Sequence, residues 1–362
     1  MSALPFDAAA VLGAGLMGRL MALGLARAGC QVDVFDTAGP EADGAAARVA
    51  AAMLAPLAES AVAPASVVRM GHHALGRWPA LLATLDTPVF FQREGTLVLW
   101  HRQDAAEAAR LARVLECTGQ QVPALPAMQR VDADRIAALE PALGTRFAQG
   151  LFLPEEGQLD NRALLGALRA ALEAMPNVRL HWQDARSPED FSPEPHERVI
   201  DCRGLGARPQ WPAVRGVRGE VVRVHAPEVA ITRPVRLVHP RYPLYIAPKP
   251  EGVFVIGATE IESADLSPAS VRSTLELLSA AYAVHSGFAE ARILEIATQC
   301  RPTLPDNLPA IRQPRPRVLQ INGLYRHGFM IAPAMLDMAL EVLATGHSAL
   351  AERLGLPMET AA

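Results

Sequence analysis

The sequence has no excess of basic residues and no long apolar run. It carries 34 lysine and arginine residues against 38 aspartate and glutamate residues, and its net charge is −4. Nucleic acid and anionic lipid are bound by clustered positive charge, so this balance argues against both and favours a small-molecule ligand. No segment offers the roughly 18 consecutive apolar residues of a membrane span, and the first residues lack the basic region of a signal peptide.

Cysteine and histidine patterns typical of metal sites are also missing. The four cysteines form no C-x-x-C pair, and the ten histidines show neither H-x-x-x-H nor H-E-x-x-H spacing. Four scattered thiols in 362 residues are typical of a reducing compartment. We therefore expect no metal site and a cytoplasmic location.

What is present is a nucleotide-binding pattern near the N-terminus. A short apolar run to Leu12 enters Gly13-Ala14-Gly15-Leu16-Met17-Gly18, and a helical segment and a second apolar run follow, ending on Asp36. The first glycine permits a sharp turn, the second lets N–H groups approach a pyrophosphate, and the third lets the helix lie close to the sheet. The terminal acid can accept a hydrogen bond from a ribose hydroxyl. The pattern predicts an adenine dinucleotide site without separating NAD from FAD.

The segment after this unit allows two interpretations. Ala45 to Leu57 is an alanine-rich helix by composition. Because it directly follows the ribose-binding strand, it could instead run over the cofactor, where small side chains allow close approach. Met53 would then face whatever the cofactor holds, whereas in the first interpretation it fills the core.

Two later glycine turns are expected near the cofactor. The strand before Gly204 should lie beside the first strand, and a helix from Pro333 to Thr345 should point its positive end at the turn that precedes it. Between these regions the βαβ alternation is lost, and strands with alternating hydrophobicity indicate an antiparallel or mixed sheet.

The chain therefore predicts an α/β fold in which a discontinuous Rossmann-type domain carries an inserted α+β substrate domain. The predicted pieces are residues 1–86, 145–212 and 302–362 for the dinucleotide-binding domain, and 87–144 and 213–301 for the substrate-binding domain.

Four stretches together resemble the D-amino-acid oxidase superfamily of FAD-dependent oxidoreductases. They are the glycine turn with Asp36, the AAAMLAP segment around Met53, YIAP to VFVIGATEIE from Tyr245 to Glu262, and CRPTLPDNLPAI with GLYRHGFMIAPAM. Their order and spacing extend over nearly the whole chain. Within the superfamily, the chain is most similar to the glycine oxidases of thiamine biosynthesis.

This resemblance implies an FAD-dependent enzyme that oxidises glycine or another small amino acid to the imine by hydride transfer, with O2 reduced to H2O2. FAD should be held non-covalently, because the spacing from Cys300 to Asp306 differs from that of sarcosine-oxidising relatives that tether flavin through a cysteine. Relatives often form homo-oligomers. The alternatives are a D-amino acid or sarcosine oxidase, a dehydrogenase that feeds quinones, and a non-catalytic NAD-binding regulatory protein. The acidic net charge disfavours the oxidase half of a tRNA-modifying enzyme.

The resemblance also assigns site residues. Arg301 matches the arginine that pairs with the substrate carboxylate, Tyr245 the tyrosine that places the substrate over the flavin, and Met53 a methionine of that pocket. Arg326, in the loop expected around the flavin ring, joins Tyr245 and Arg301 as a catalytic candidate. The expected cofactor contacts are Gly13, Gly15, Leu16, Met17, Gly18, Asp36, Thr37, Ala51, Ala52, Met53, Arg186, Gly204, Leu324, Tyr325, Arg326, His327, Gly328, Phe329 and Met330.

Two positions depart from the family pattern. Arg48 stands where relatives often carry a small hydroxyl residue. Glu260 stands where a relative places an apolar pocket residue. If its side chain points inward, Glu260 would favour a substrate amine or exclude bulky side chains; otherwise it would simply point into solvent.

Overall fold

The computed structural model describes residues 4–238 and 244–360, which form three β-sheets and ten α-helices. The strands are β1 Ala8–Leu12, β2 Gln31–Asp36, β3 Met53–Leu54, β4 Phe91–Gln92, β5 Thr96–Leu99, β6 Gln129–Asp132, β7 Gln149–Leu153, β8 Gly157–Leu159, β9 Val178–Trp182, β10 Glu197–Asp201, β11 Arg215–His225, β12 Val235–Leu237, β13 Leu244–Lys249, β14 Val253–Gly257, β15 Arg292–Thr303, β16 Ala310–Arg315, β17 Val318–Asn322 and β18 Glu359–Thr360. The helices are α1 Leu16–Arg27, α2 Ala46–Val49, α3 Pro56–Glu59, α4 Ala65–Leu82, α5 Ala105–Gln121, α6 Ala133–Leu139, α7 Asn161–Glu173, α8 Val271–Val284, α9 Gly328–Thr345 and α10 Ala349–Leu354.

The first sheet carries the glycine turn, and its seven strands run in the order β18-β16-β17-β10-β1-β2-β9. β1 lies between β10 and β2 and is parallel to both, and β17 and β9 continue the parallel pairing on either side. The carboxyl ends of parallel strands share one edge, so the turns after β1, β2, β10 and β17 meet there. The expected place of the strand before Gly204, beside the first strand, is confirmed.

The second sheet has eight strands in the order β15-β11-β14-β13-β12-β5-β7-β6. Its pairings are antiparallel except for β12 with β5, which is parallel. Helix α8 packs against β11, β13 and β14, and Val222, Phe254 and Leu277 belong to the core between them. A mixed sheet separate from the Rossmann-type sheet is what the alternating strands predicted. A third, small sheet of β3, β8 and β4 contains Met53.

The most apolar helix of the described chain, α9, is a core element. The segment Tyr325–Thr345 is long and apolar enough to cross a membrane by composition, but 67% of its apolar 18-residue window is buried inside the protein. It packs against α4 and α1. Burial in the first core accounts for its apolar character.

Two elements differ from their predicted form. Helix α9 begins at Gly328 instead of Pro333, which lies inside it. Proline lacks the N–H that would bond the carbonyl of Phe329 one turn earlier, and Nε1 of Trp78 donates to that carbonyl instead, at 3.0 Å. In the 45–57 segment the helix ends at Val49, and the chain continues without helical structure to Met53, with Ala52 at φ +52°. The single alanine-rich helix of the first interpretation is therefore not formed over this segment.

The division into two domains remains a proposal, and one boundary needs correction. Residues 145–212 were assigned to the FAD-binding domain, but β7 pairs with β5 and β6 in the second sheet. Leu151 and Leu153 are fully buried in a cluster with Val98 of that sheet. We place the boundary after β7, because these apolar side chains fix the strand to the second sheet.

Candidate active site

A single elongated cavity brings the predicted residues together. Its volume is about 680 Å³, and it extends from the carboxyl edge of the first sheet to the second sheet. Asp36 lines it from β2 of the first sheet, and Tyr245 and Arg301 line it from β13 and β15 of the second sheet; Arg186 is also a lining residue. All the predicted cofactor and substrate positions line this cavity except Gly18.

The glycine turn explains why Gly18 lies outside. A Cβ atom at Gly18 would lie 1.7 Å from the carbonyl oxygen of Gly13, so this glycine allows the helix to pack on the turn. Gly13 has φ +89°, and a Cβ there would lie 2.9 Å from Cα of Arg203. The carboxylate of Asp36 accepts hydrogen bonds from the N–H groups of Ala14 and Ala38. The acid therefore fixes the turn and still faces the cavity.

Two helix N-termini are directed toward this cavity. Helix α1 begins after Gly15, and α9 begins after the turn Tyr325–His327. Neither has an acidic residue in its first turn or a side chain that caps it. Their free N–H groups and positive ends suit a ligand with negative groups at two separated places.

The non-helical segment that contains Ala51 is held by Lys249, the only lysine of the sequence. Its Nζ donates to the carbonyl oxygens of Ala51 and Leu159, both at 2.8 Å, and to Oε1 of Gln158 at 3.1 Å. Three acceptors match the three N–H donors of an ammonium group. Burial lowers the pKa of Lys249 to about 7. Lys249 belongs to no sequence motif that would have marked it as part of the site.

Arg301 presents a cation without a carboxylate partner among the described residues. Its Nη2 donates to the carbonyl of Thr259 at 3.1 Å, and its Nη1 to that of Arg218 at 3.4 Å. Gly219 makes room for the guanidinium, since a Cβ there would lie 2.4 Å from Nη2. Desolvation lowers the pKa of Arg301. An anionic ligand in the cavity would relieve this unpaired charge.

Tyr245 and Met53 also line this end of the cavity. The Tyr245 hydroxyl lies against Gly257, where a Cβ would be 2.7 Å away. Burial raises the pKa of Tyr245, so the phenol stays neutral and can donate a hydrogen bond. Met53 reaches the cavity from β3, next to the segment that Lys249 holds.

A buried ion-pair network, formed by Glu59, Arg236, Arg326 and His327, also lines the cavity. Glu59 Oε1 lies 2.6 Å from Nη2 of Arg236, and Glu59 Oε2 lies 2.9 Å from Nε of Arg326 and 3.3 Å from Nδ1 of His327. Burial opposes ionisation, but Arg326 and Arg236 hold the pKa of Glu59 well below its usual range. Sequence reasoning missed Glu59 and Arg236, which lie in different elements and match no motif.

Arg326 is also held on its cavity side. Glu260 Oε2 accepts from its Nη1 at 2.5 Å, and Glu260 Oε1 accepts from the Tyr325 hydroxyl. Glu260 therefore lines the cavity, and its side chain also remains partly exposed to solvent. Arg48 does the opposite: it pairs with Asp43 at 2.9 Å and does not line the cavity.

Cys300 is engaged with main-chain atoms. Its Sγ lies 3.6 Å from the carbonyl oxygen of Ser263 and 3.5 Å from that of Asp265. Desolvation raises its pKa, which keeps the thiol protonated. Within residues 4–238 and 244–360, no group of three His, Cys, Asp or Glu side chains could hold a metal ion.

The sequence matches the DAO family of FAD-dependent oxidoreductases over residues 8–339. The chain belongs to this family. The oxidoreductase is 42% identical over 325 residues to a Rhizobium etli protein assigned to thiamine biosynthesis as the oxidoreductase ThiO, covering 90% of this chain and 93% of the relative.

Two solved structures share the fold of this oxidoreductase. Iminodiacetate oxidase from Chelativorans sp. has a TM-score of 0.80 at 21% identity and covers 98% of this chain and 100% of its own. Glycine oxidase from Geobacillus kaustophilus has a TM-score of 0.78 at 23% identity and covers 96% of each chain.

The cofactor of this oxidoreductase is FAD, and the cavity fits it. The glycine turn brings the uncapped N-terminus of α1 to the cavity, where its main-chain N–H groups suit a pyrophosphate, and the second uncapped helix end at Gly328 suits an electron-rich ring. The match to the family of FAD-dependent oxidoreductases rejects the alternative of a non-catalytic NAD-binding regulatory protein.

Proposed function

We propose that the enzyme oxidises a small α-amino acid, with glycine as the first candidate, to the imine, with O2 as the electron acceptor and H2O2 as a product. The observation that carries the proposal is Arg301. It is a cation with no carboxylate partner among the described residues, and it lines the cavity from β15 of the second sheet, whereas Asp36 lines it from β2 of the first sheet.

The unpaired charge favours a substrate carboxylate. Arg326 and Arg236 are both engaged by Glu59, so Arg301 is the guanidinium free to form a bidentate pair. The neutral Tyr245 hydroxyl would donate a second hydrogen bond and orient the substrate. Met53 would limit the space at the α-carbon, which favours a small side chain.

The cofactor would extend along the whole cavity. In this proposal Gly13, Gly15 and the N-terminus of α1 hold the pyrophosphate, and Asp36 holds the ribose. The remaining positions would contact the adenine and flavin ends: Leu16, Met17, Thr37, Ala51, Ala52, Arg186, Gly204, Leu324, Tyr325, His327, Gly328, Phe329 and Met330. The buried, protonated Cys300 supports non-covalent binding.

The residues of the chain supply binding and orientation more than acid–base chemistry. The chemistry that bound FAD would supply is acceptance of the α-hydrogen as hydride and transfer of the electrons to O2. Arg301 fixes the carboxylate and Tyr245 fixes the orientation, so that the α-carbon faces the ring. Segment Ala51–Met53, held by Lys249, excludes water from one side.

The 42% identity to the Rhizobium etli protein supports a role in supplying the imine for thiamine biosynthesis. The free cysteines at positions 30, 117, 202 and 300 support action in the cytoplasm. We also propose that the enzyme forms a homo-oligomer.

The test is product analysis with the FAD-loaded enzyme. We expect glycine to drive O2 uptake with equal amounts of H2O2, glyoxylate and ammonia, because the released imine hydrolyses. Strong dye reduction without O2 uptake would indicate a dehydrogenase instead. Faster turnover of sarcosine or D-alanine than of glycine would assign a different substrate.

A further inference from the structure

Glu260 places a negative charge inside the substrate end of the cavity. Its carboxylate accepts hydrogen bonds from Arg326 and Tyr325, which leaves lone pairs on both oxygens free for a ligand. Its side chain is 35% exposed, compared with 12% for Arg326, so Glu260 is the part of the network that an entering molecule meets. It follows Thr259, whose carbonyl accepts from Arg301.

The formal charges around this end can be counted. Arg236, Arg301 and Arg326 are positive and Glu59 and Glu260 are negative, and all five line the cavity. The sum is three positive and two negative charges, which is one net positive charge. One substrate carboxylate therefore neutralises the set, and a second carboxylate would add an uncompensated negative charge next to Glu260.

We propose that Glu260 is a specificity-determining residue that restricts the site to amines with a single carboxylate and excludes dicarboxylates. This inference rests on the proposed function, because it takes the ligand of Arg301 to be a carboxylate. Like charges brought together in a partly desolvated site repel strongly, and this is a common way to reject a competing ligand.

The network explains why Glu260 is available for this task. Arg326 already has Glu59 as a partner at 2.9 Å. Arg326 would keep this carboxylate partner without Glu260, although it shares Glu59 with Arg236. Glu260 therefore adds a second negative charge to the network, on the side that faces the cavity.

The test compares two ligands of the same size and different charge, malonate and its monoamide, by perturbation of the bound flavin's absorption spectrum. In the unsubstituted enzyme we expect the monoamide to bind about tenfold or more tightly than malonate. In Glu260→Gln, which keeps the size of the side chain and removes its charge, the preference should fall below about threefold. Glu262→Gln, which changes the exposed partner of Arg215 on the same loop, should keep the preference.

Turnover of iminodiacetate and its monoamide provides the second readout, and the same change in preference is expected in kcat/KM. An unchanged preference in Glu260→Gln would overturn the inference. An equal loss of affinity for both ligands would also overturn it, because that result indicates a merely structural role for Glu260. Glu260→Ala replaces the glutamine variant if the latter does not retain FAD. Absence of any amine oxidation by the unsubstituted enzyme would instead contradict the proposed function.

Discussion

Nε of Arg326 lies 2.9 Å from Oε2 of Glu59 and joins the turn before α9 to the end of α3. The contact connects the loop expected around the flavin ring with α3, which follows the cavity-lining segment Ala51–Met53 in the chain. Because Arg326 is held by Glu59 and Glu260, its guanidinium orders the site, and Arg301 is left for the substrate.

Removal of the free cation should weaken substrate binding. We expect Arg301→Ala to lose a charge-assisted pair of about 2–4 kcal/mol, which corresponds to a rise in KM for glycine of roughly 30-fold or more. Steady-state oxygen uptake measures this. Arg215→Ala, outside the cavity, is the control and should leave KM unchanged. An unchanged KM in Arg301→Ala would remove the carboxylate role from this residue.

Loss of the central carboxylate should destabilise the fold. Glu59→Gln leaves Arg236 without its carboxylate partner in a buried position and removes one of the two from Arg326, at a cost of about 3 kcal/mol. Urea unfolding of the FAD-loaded enzyme measures the change. Glu155→Gln, which breaks an exposed pair with Arg93, should stay within about 1 kcal/mol. Equal effects of the two substitutions would contradict the buried-network account.

The single lysine allows a direct titration. Selective ¹³Cε labelling of lysine gives one side-chain NMR signal, and we expect it to titrate with a pKa of about 7, lowered by burial. A signal that titrates near the ordinary value of about 10.4 would show that the ammonium is solvated.

The same shift has a consequence for stability. Between pH 7 and the unfolded-state pKa of about 10.4, the unfolded chain binds a proton at Lys249 that the folded chain does not, so folding becomes more favourable as the pH rises. The cost of burying the charge is fully present below pH 7. We expect the unfolding free energy of the unsubstituted enzyme to gain about 2 kcal/mol relative to Lys249→Met between pH 7 and pH 9. A constant difference between the two proteins would contradict this.

The sequence could reveal the parts of the site that are local in the chain. The glycine turn and Asp36 belong to one βαβ unit, and Arg301 and Tyr245 lie in short motifs that resemble those of known enzymes. Glu59, Arg236 and Lys249 could not be recognised, since their roles depend on partners in other elements that only the folded chain brings near. The start of α9 was misplaced for a similar reason: a tertiary contact from Trp78 satisfies the carbonyl that Pro333 leaves free.

The most direct measurement is the absorption spectrum of the purified enzyme under anaerobic conditions, before and after addition of glycine. The account predicts flavin bands that bleach with glycine and return on admission of O2, and no bleaching at the same glycine concentration in Arg301→Ala. Flavin bands that remain unchanged with glycine, sarcosine and D-alanine would contradict the proposal that this cavity oxidises a small amino acid.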